Sequence, residues 1–106
     1  MIVVERIPTS RIADRGYKDF ILRTLTAAIA AKASDVHIEP GPGSVAVRYA
    51  IDGVLRHTCT FDTAAWYGVC AAVKVLGGLD LAQSTKSQSG RLEHNGCDVR
   101  VSSHPT

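Results

Sequence analysis

The dipeptide Asn95-Gly96 constrains the end of this chain more tightly than any other feature. Asn-Gly favours a type I′ turn, whose two central residues both take positive φ and which joins antiparallel strands through a two-residue loop. The flanking residues read as a hairpin from Leu92 to Val101. A loop of that length sets the register, because side chains alternate between faces with a period of two. Arg91 then lies opposite Arg100, and Glu93 opposite Asp98, with all four on one face. Leu92, His94, Cys97, Val99 and Val101 take the other face. Two guanidiniums on one rung repel, and an anion or a carboxylate between them relieves that repulsion. One arrangement is a lattice of diagonal salt bridges, Arg91 to Asp98 and Glu93 to Arg100. At a surface such pairs contribute about 0–1 kcal/mol each. The other is a phosphate clamp, since the planar guanidinium fork suits phosphate oxygens. Chemistry alone favours the lattice.

A second turn signal, Asp52-Gly53, joins strands over Val45–Ile51 and Val54–Phe61. Its register places Arg48 opposite His57 and Tyr49 opposite Arg56. These are read as solvated strand residues, with Tyr49 able to stack on Arg56. Asp35 to Glu39 alternates as a half-buried strand, and Pro40-Gly41-Pro42-Gly43 reads as a turn. Apolar residues at helical spacing (Phe20, Ile21, Leu25, Ala28, Ile29) predict a helix over Tyr17–Ala33. A second helix starts at a cap, Asp62 or Thr63, and runs to about Leu76. Its stripe is Trp66, Val69, Cys70, Val73 and Leu76, and Gly77-Gly78 ends it. Gln83 to Ser89 is polar without periodicity, as expected of a mobile surface loop. Residues 1–16 read as an N-terminal arm, either extended or a short strand, and 17–106 as a single domain. Tight turns make the strands antiparallel, so the class is α+β, with two main helices packed on a sheet.

Composition excludes several functions. The chain has 106 residues, 45% apolar and 21% charged, which suits one small globular domain rather than a disordered segment. A net charge of +2 is too weak to argue for nucleic acid or an acidic membrane. No apolar run approaches the roughly 20 residues of a membrane-spanning helix. Glu5 interrupts the N-terminal apolar run, so no signal peptide is read there. Cys59, Cys70 and Cys97 form no C-x-x-C pair, as expected of buried thiols in a reducing compartment. No histidine pairs with a cysteine at zinc spacing, so no metal site is expected. Asp35, His37 and Glu39 share a strand face and could mimic a metal site, but a polar outer face explains them more simply. The chain carries no G-x-x-x-x-G-K-[ST] phosphate loop, no G-x-S-x-G elbow and no kinase motif set. No catalytic residue is assigned.

Four stretches taken together resemble a known family. They are Ala33-Ser34-Asp35-Val36-His37-Ile38-Glu39-Pro40, Val47 to Arg56, Val73 to Ala82, and Gln88 to Arg91 with Asp98 to Thr106. In order and spacing they resemble the assembly ATPases of type II secretion and type IV pili, over roughly residues 30–106. The resemblance implies a PAS-like α+β domain lying N-terminal to a RecA-like motor domain that is absent from this chain. It implies a hexameric parent protein on the cytoplasmic face of the inner membrane. It also implies that Arg91 and Arg100 contact nucleotide phosphates held by the motor domain when the two domains close. ATP and Mg are then expected in the parent protein only, with none bound to this chain. The expected partners are the motor domain, neighbouring subunits and inner-membrane platform proteins, with no nucleic acid. The chain departs from the family at Ser89, where an acidic residue is usual, and near Ala82 to Ser87, where an arginine-rich stretch is usual. Family members often carry a further N-terminal module; with residues 1–16 alone before the first helix, that module is expected to be either absent or cut away.

Two functions from different classes follow. One is a regulatory domain that lends arginines to a nucleotide bound by its neighbour, with no hydrolysis of its own. The other is an interaction module that docks a subunit or platform protein, its arginines making salt bridges only.

Overall fold

The computed structural model describes residues 5–7, 9, 10, 12, 16–82 and 85–104. Parts of the N-terminal arm, Gln83 and Ser84 of the polar loop, and Pro105-Thr106 lie outside these. The elements are β1 (Glu5–Ile7), α1 (Tyr17–Ala30), β2 (Asp35–Gly41), β3 (Ser44–Ile51), β4 (Val54–Asp62), a 3-10 turn (Thr63–Ala65), α2 (Trp66–Leu76), β5 (Gln88–His94) and β6 (Cys97–Ser103). The α+β class holds. The strands divide into a four-stranded sheet, ordered β1-β4-β3-β2, and a separate β5-β6 ribbon. No described helix is long and apolar enough to cross a membrane.

α1 opens with Asp19 paired to Arg23 at 2.9 Å, an i,i+4 contact with the acid toward the positive end of the helix dipole. It stops short of the predicted Ala33. Lys32 takes φ 59°, its N–H bonds the Ile29 carbonyl at 3.0 Å, and the Ala33 N–H bonds the Ala28 carbonyl at 2.9 Å. These two bonds close a Schellman cap. The half-buried Ala33 packs back against the core, as the apolar residue after such a cap commonly does. α2 ends as predicted. Gly78 takes φ 72°, and Gly78 and Leu79 bond back to Val75 and Lys74 in the same pattern. Its start differs from expectation. A 3-10 turn intervenes, and Asp62 makes no side-chain capping bond there. Its carboxylate instead accepts from the Thr9 hydroxyl at 3.3 Å.

β2 runs on through Pro40 and Gly41, which pair with Val45 and Ser44. The turn is therefore Pro42-Gly43 alone, with Gly43 at φ 80°. Pro40 is tolerated in a strand because β2 is an edge of the sheet. The Asp52-Gly53 turn has φ 52° and 78°, as a type I′ turn requires. Arg48 faces His57 and Tyr49 faces Arg56 as expected. Beyond that point the register shifts by one, and Val47 faces Cys59. Thr58 is the extra residue, its hydroxyl donating to the Val47 carbonyl at 3.0 Å. Such a bulge bends and twists its strand. β1 adds to β4 in parallel, Ile7 beside Phe61. Its partner is distant in sequence, so no turn signal announces it.

Phe61, Val45, Val47 and Val69 are the largest fully buried side chains, joined in the core by Ile12, Ile21 and Ala28. Phe20 meets Phe61 edge to face at 5.5 Å. The Tyr49 hydroxyl donates to the Thr24 carbonyl at 3.1 Å and pins α1 to the sheet. Among the described residues no cation–π contact joins Tyr49 to Arg56. Burial raises the Tyr49 pKa above its ordinary value, with Cys59 adding to the rise.

Candidate phosphate-contact hairpin

The β5-β6 hairpin forms in the register that Asn95-Gly96 dictates. Arg91 pairs with Arg100, Leu92 with Val99, Glu93 with Asp98 and His94 with Cys97. Asn95 and Gly96 take φ 51° and 77°. Exposure alternates along both strands: Arg91, Glu93, Asp98 and Arg100 are exposed, while Leu92, Val99 and Val101 are half-buried. Both candidate arginines therefore stand on the solvent face of one rung.

Of the two expected diagonal salt bridges, one forms. Arg91 Nη1 lies 3.8 Å from Asp98 Oδ2, both side chains being mostly exposed. Among the described residues no ion pair joins Glu93 to Arg100. Strand twist accounts for the difference, because it shortens one diagonal of a rung pair as it lengthens the other. The Arg91–Asp98 pair is solvated and long, so it contributes about 0–1 kcal/mol.

The hairpin is fastened to the rest of the molecule at both ends. At its base the Gln88 side chain brackets the backbone of Asp80: its Oε1 accepts from the Asp80 N–H at 2.8 Å and its Nε2 donates to the Asp80 carbonyl at 2.9 Å. Beside it Gly90 lies so close to the Gly77 carbonyl that a Cβ could not fit. At the tip, Thr26 of α1 donates its hydroxyl to the Leu22 carbonyl at 2.9 Å. Its oxygen therefore accepts from His94 Nε2–H at 2.8 Å and from Asn95 Nδ2 at 3.4 Å. Sequence reasoning missed these anchors. It placed Gln88 and Ser89 in a loop, whereas they begin β5 opposite Ser103 and Ser102. Gly90, an unexplained glycine inside a strand pattern, was the available signal of a close backbone approach.

The other singled-out polar residues do not join this site. On the outer face of β2, Glu39 lies 3.7 Å from both His37 and Arg48. Among the described residues no group of three or more His, Cys, Asp or Glu side chains could hold a metal ion. Cys70 lies half-buried on α2, where burial pushes its thiol pKa up and Lys74 partly opposes the shift.

Comparison with known proteins identifies the lineage. A family model described as "Type II/IV secretion system protein" matches residues 13–106. The type IV pilus assembly ATPase PilB of Thermus thermophilus is 34% identical over 107 residues, 96% of this chain and 12% of that protein. The protein transport protein HofB homolog of Escherichia coli is 35% identical, over 82% of this chain and 20% of its own length. Type II secretion system protein E of Klebsiella pneumoniae is 36% identical, over 77% of this chain and 17% of its own length. The chain thus spans between 12% and 20% of these relatives. With nearly its whole described length matched by that family model, this chain belongs to the type II/IV secretion system protein family.

Proposed function

We propose that this chain is the N-terminal regulatory domain, PAS-like in topology, of a hexameric secretion or type IV pilus assembly ATPase. It carries no hydrolytic apparatus of its own. Arg91 and Arg100 reach the phosphates of an ATP–Mg complex held by a RecA-like motor domain of the same protein, and closure onto them couples nucleotide state to domain movement. The parent protein works in the cytoplasm, drawn to the inner membrane by platform partners.

One observation carries this reading. Both guanidiniums are exposed on one rung, on the face opposite that by which the hairpin docks. Arg100 has no ion-pair partner among the described residues. Arg91 gives up only a solvated contact of 3.8 Å, a loss of about 0–1 kcal/mol. A charge-assisted fork to phosphate outweighs that.

A docking role has its own support. α2 is apolar nearly all round, and Tyr67 and Val75, two turns apart, are 84% and 50% exposed. Charge reversal at Arg91 in the full-length protein separates the two readings. Lost ATPase activity with hexamers intact supports the phosphate contact. Retained ATPase with lost assembly overturns it in favour of docking.

A further inference from the structure

Asn95 is the only asparagine of the chain, and glycine follows it. The backbone nitrogen after an asparagine can attack the side-chain carboxamide, and a glycine there has no Cβ to crowd the approach. Both residues are exposed at the hairpin tip, and the space beside the Gly96 Cα is open, so water reaches the reacting groups. The fold opposes the reaction in two ways. In a type I′ turn the first central residue has ψ of about 30°, which turns the Gly96 nitrogen to the far side of the Asn95 Cα–C bond from Cβ. Ring closure needs that nitrogen on the same side as Cβ, and the rotation that brings it there undoes the turn. Thr26 then holds the turn in place. Its hydroxyl oxygen accepts from Asn95 Nδ2 at 3.4 Å and from His94 Nε2 at 2.8 Å.

We propose that Asn95 is a deamidation site gated by the docking of the hairpin tip on Thr26, so that leaving Thr26 exposes the hairpin to an irreversible change. The Gly96 nitrogen bonds to Asn95 Cγ and gives up its proton. The Cγ–Nδ2 bond breaks, and the amide nitrogen leaves with that proton as ammonia. The succinimide ring so formed takes up one water. Opening at Cγ gives an aspartate. Opening at the main-chain carbonyl gives an isoaspartate, with one more carbon in the backbone. Water is the only co-reactant, and no group is oxidised or reduced.

The two products act differently on the fold. The Asp52-Gly53 turn holds φ 52° and 78°, against 51° and 77° at Asn95-Gly96, so an aspartate at the tip keeps the turn. A two-residue loop leaves no slack for a further backbone atom. The isoaspartate therefore loses the register that sets Arg91 opposite Arg100. Both products lack the Nδ2 donor to Thr26. A hairpin that has reacted through the main chain cannot dock again in its former register. Nothing in this depends on what the arginines bind.

The test incubates four samples with reductant at mildly alkaline pH: the 106-residue chain, Thr26→Val, Thr26→Ser, and the free peptide acetyl-Glu-His-Asn-Gly-Cys-Asp-amide. Peptide mapping by mass spectrometry follows the conversion of amide to acid at Asn95, and an isoaspartate-specific methyltransferase detects the lengthened backbone. The free peptide is expected to react fastest and the parent chain slowest. Thr26→Val deamidates about fivefold faster than the parent, the factor that one lost hydrogen bond confers on a local opening. Thr26→Ser, which keeps the hydroxyl, reacts at the parental rate. Amide NMR is expected to show the parental β5-β6 register in Asn95→Asp and its loss in the purified isoaspartyl chain. Four results each overturn the proposal: equal rates in the parent and Thr26→Val, a Thr26→Ser rate matching Thr26→Val, a parent as fast as the free peptide, or an isoaspartyl chain that keeps the parental register.

Discussion

Arg91 and Arg100 share one rung of the β5-β6 hairpin, yet only Arg91 reaches a carboxylate, Asp98 at 3.8 Å. Neither arginine supports the fold by more than about 0–1 kcal/mol, the scale of a solvated ion pair. Arg91→Glu and Arg100→Glu are each expected to change the unfolding free energy of the chain by no more than about 0.5 kcal/mol, measured in urea. In the full-length protein the same changes are expected to remove ATPase activity. A loss of stability above about 1 kcal/mol would show that the arginines act within the fold.

Gly90 bears on the hairpin in the opposite sense. It lies against the Gly77 carbonyl, with the Leu79 side chain next nearest. Gly90→Ala forces backbone apart, because the obstructing atom cannot rotate away. The expected cost is about 1–3 kcal/mol, as for other overpacked sites. Exchange protection in β5 and β6 should fall before that in β3 and β4. Unchanged stability on urea unfolding would mean that the hairpin docks less closely than its geometry indicates.

The two-residue turns were read correctly from the sequence, while the start of α2, the ends of α1, β2 and β5, and the non-local pairings were not. Asn95-Gly96 yields the whole β5-β6 register, since a two-residue turn leaves no freedom. Asp52-Gly53 does the same as far as Arg48 and His57. The bulge at Thr58 then breaks the alternation, and nothing in Thr58-Cys59-Thr60 announces it. The parallel pairing of β1 with β4 joins residues far apart in the chain, where no turn chemistry acts. α2 presents apolar side chains on most sides, so its period could not reveal that Ala72 is buried, whereas Tyr67, outside the predicted stripe, is exposed. The candidate arginines were legible as a facing pair. That only one diagonal ion pair closes depends on strand twist, which register does not specify.

Lys32 offers a stabilising change. It takes φ 59° at the end of α1, a conformation that costs a residue with a Cβ about 1–2 kcal/mol. Glycine takes it without that cost and is the usual residue at this point of a Schellman cap. Lys32 is exposed, so little packing is lost. Lys32→Gly is expected to raise stability by about 1 kcal/mol, seen as a higher urea midpoint with an unchanged slope. A lower midpoint would refute the cap.

Tyr49 links stability to alkaline pH. Its hydroxyl donates to the Thr24 carbonyl at 3.1 Å. Burial, and secondarily Cys59, raise its pKa above the ordinary value of 10.0. The neutral phenol is therefore favoured in the folded chain relative to the unfolded one. Its contribution is fully present below the unfolded pKa and is lost as pH rises through the higher folded pKa. Tyr49→Phe removes the hydrogen bond and is expected to cost about 1 kcal/mol at neutral pH. It also removes the ionisable group, so the variant should lose less stability than the parent between neutral pH and pH above 10.0. Urea unfolding of both chains at two pH values checks this. Parallel losses in the two would mean that another group drives the alkaline transition.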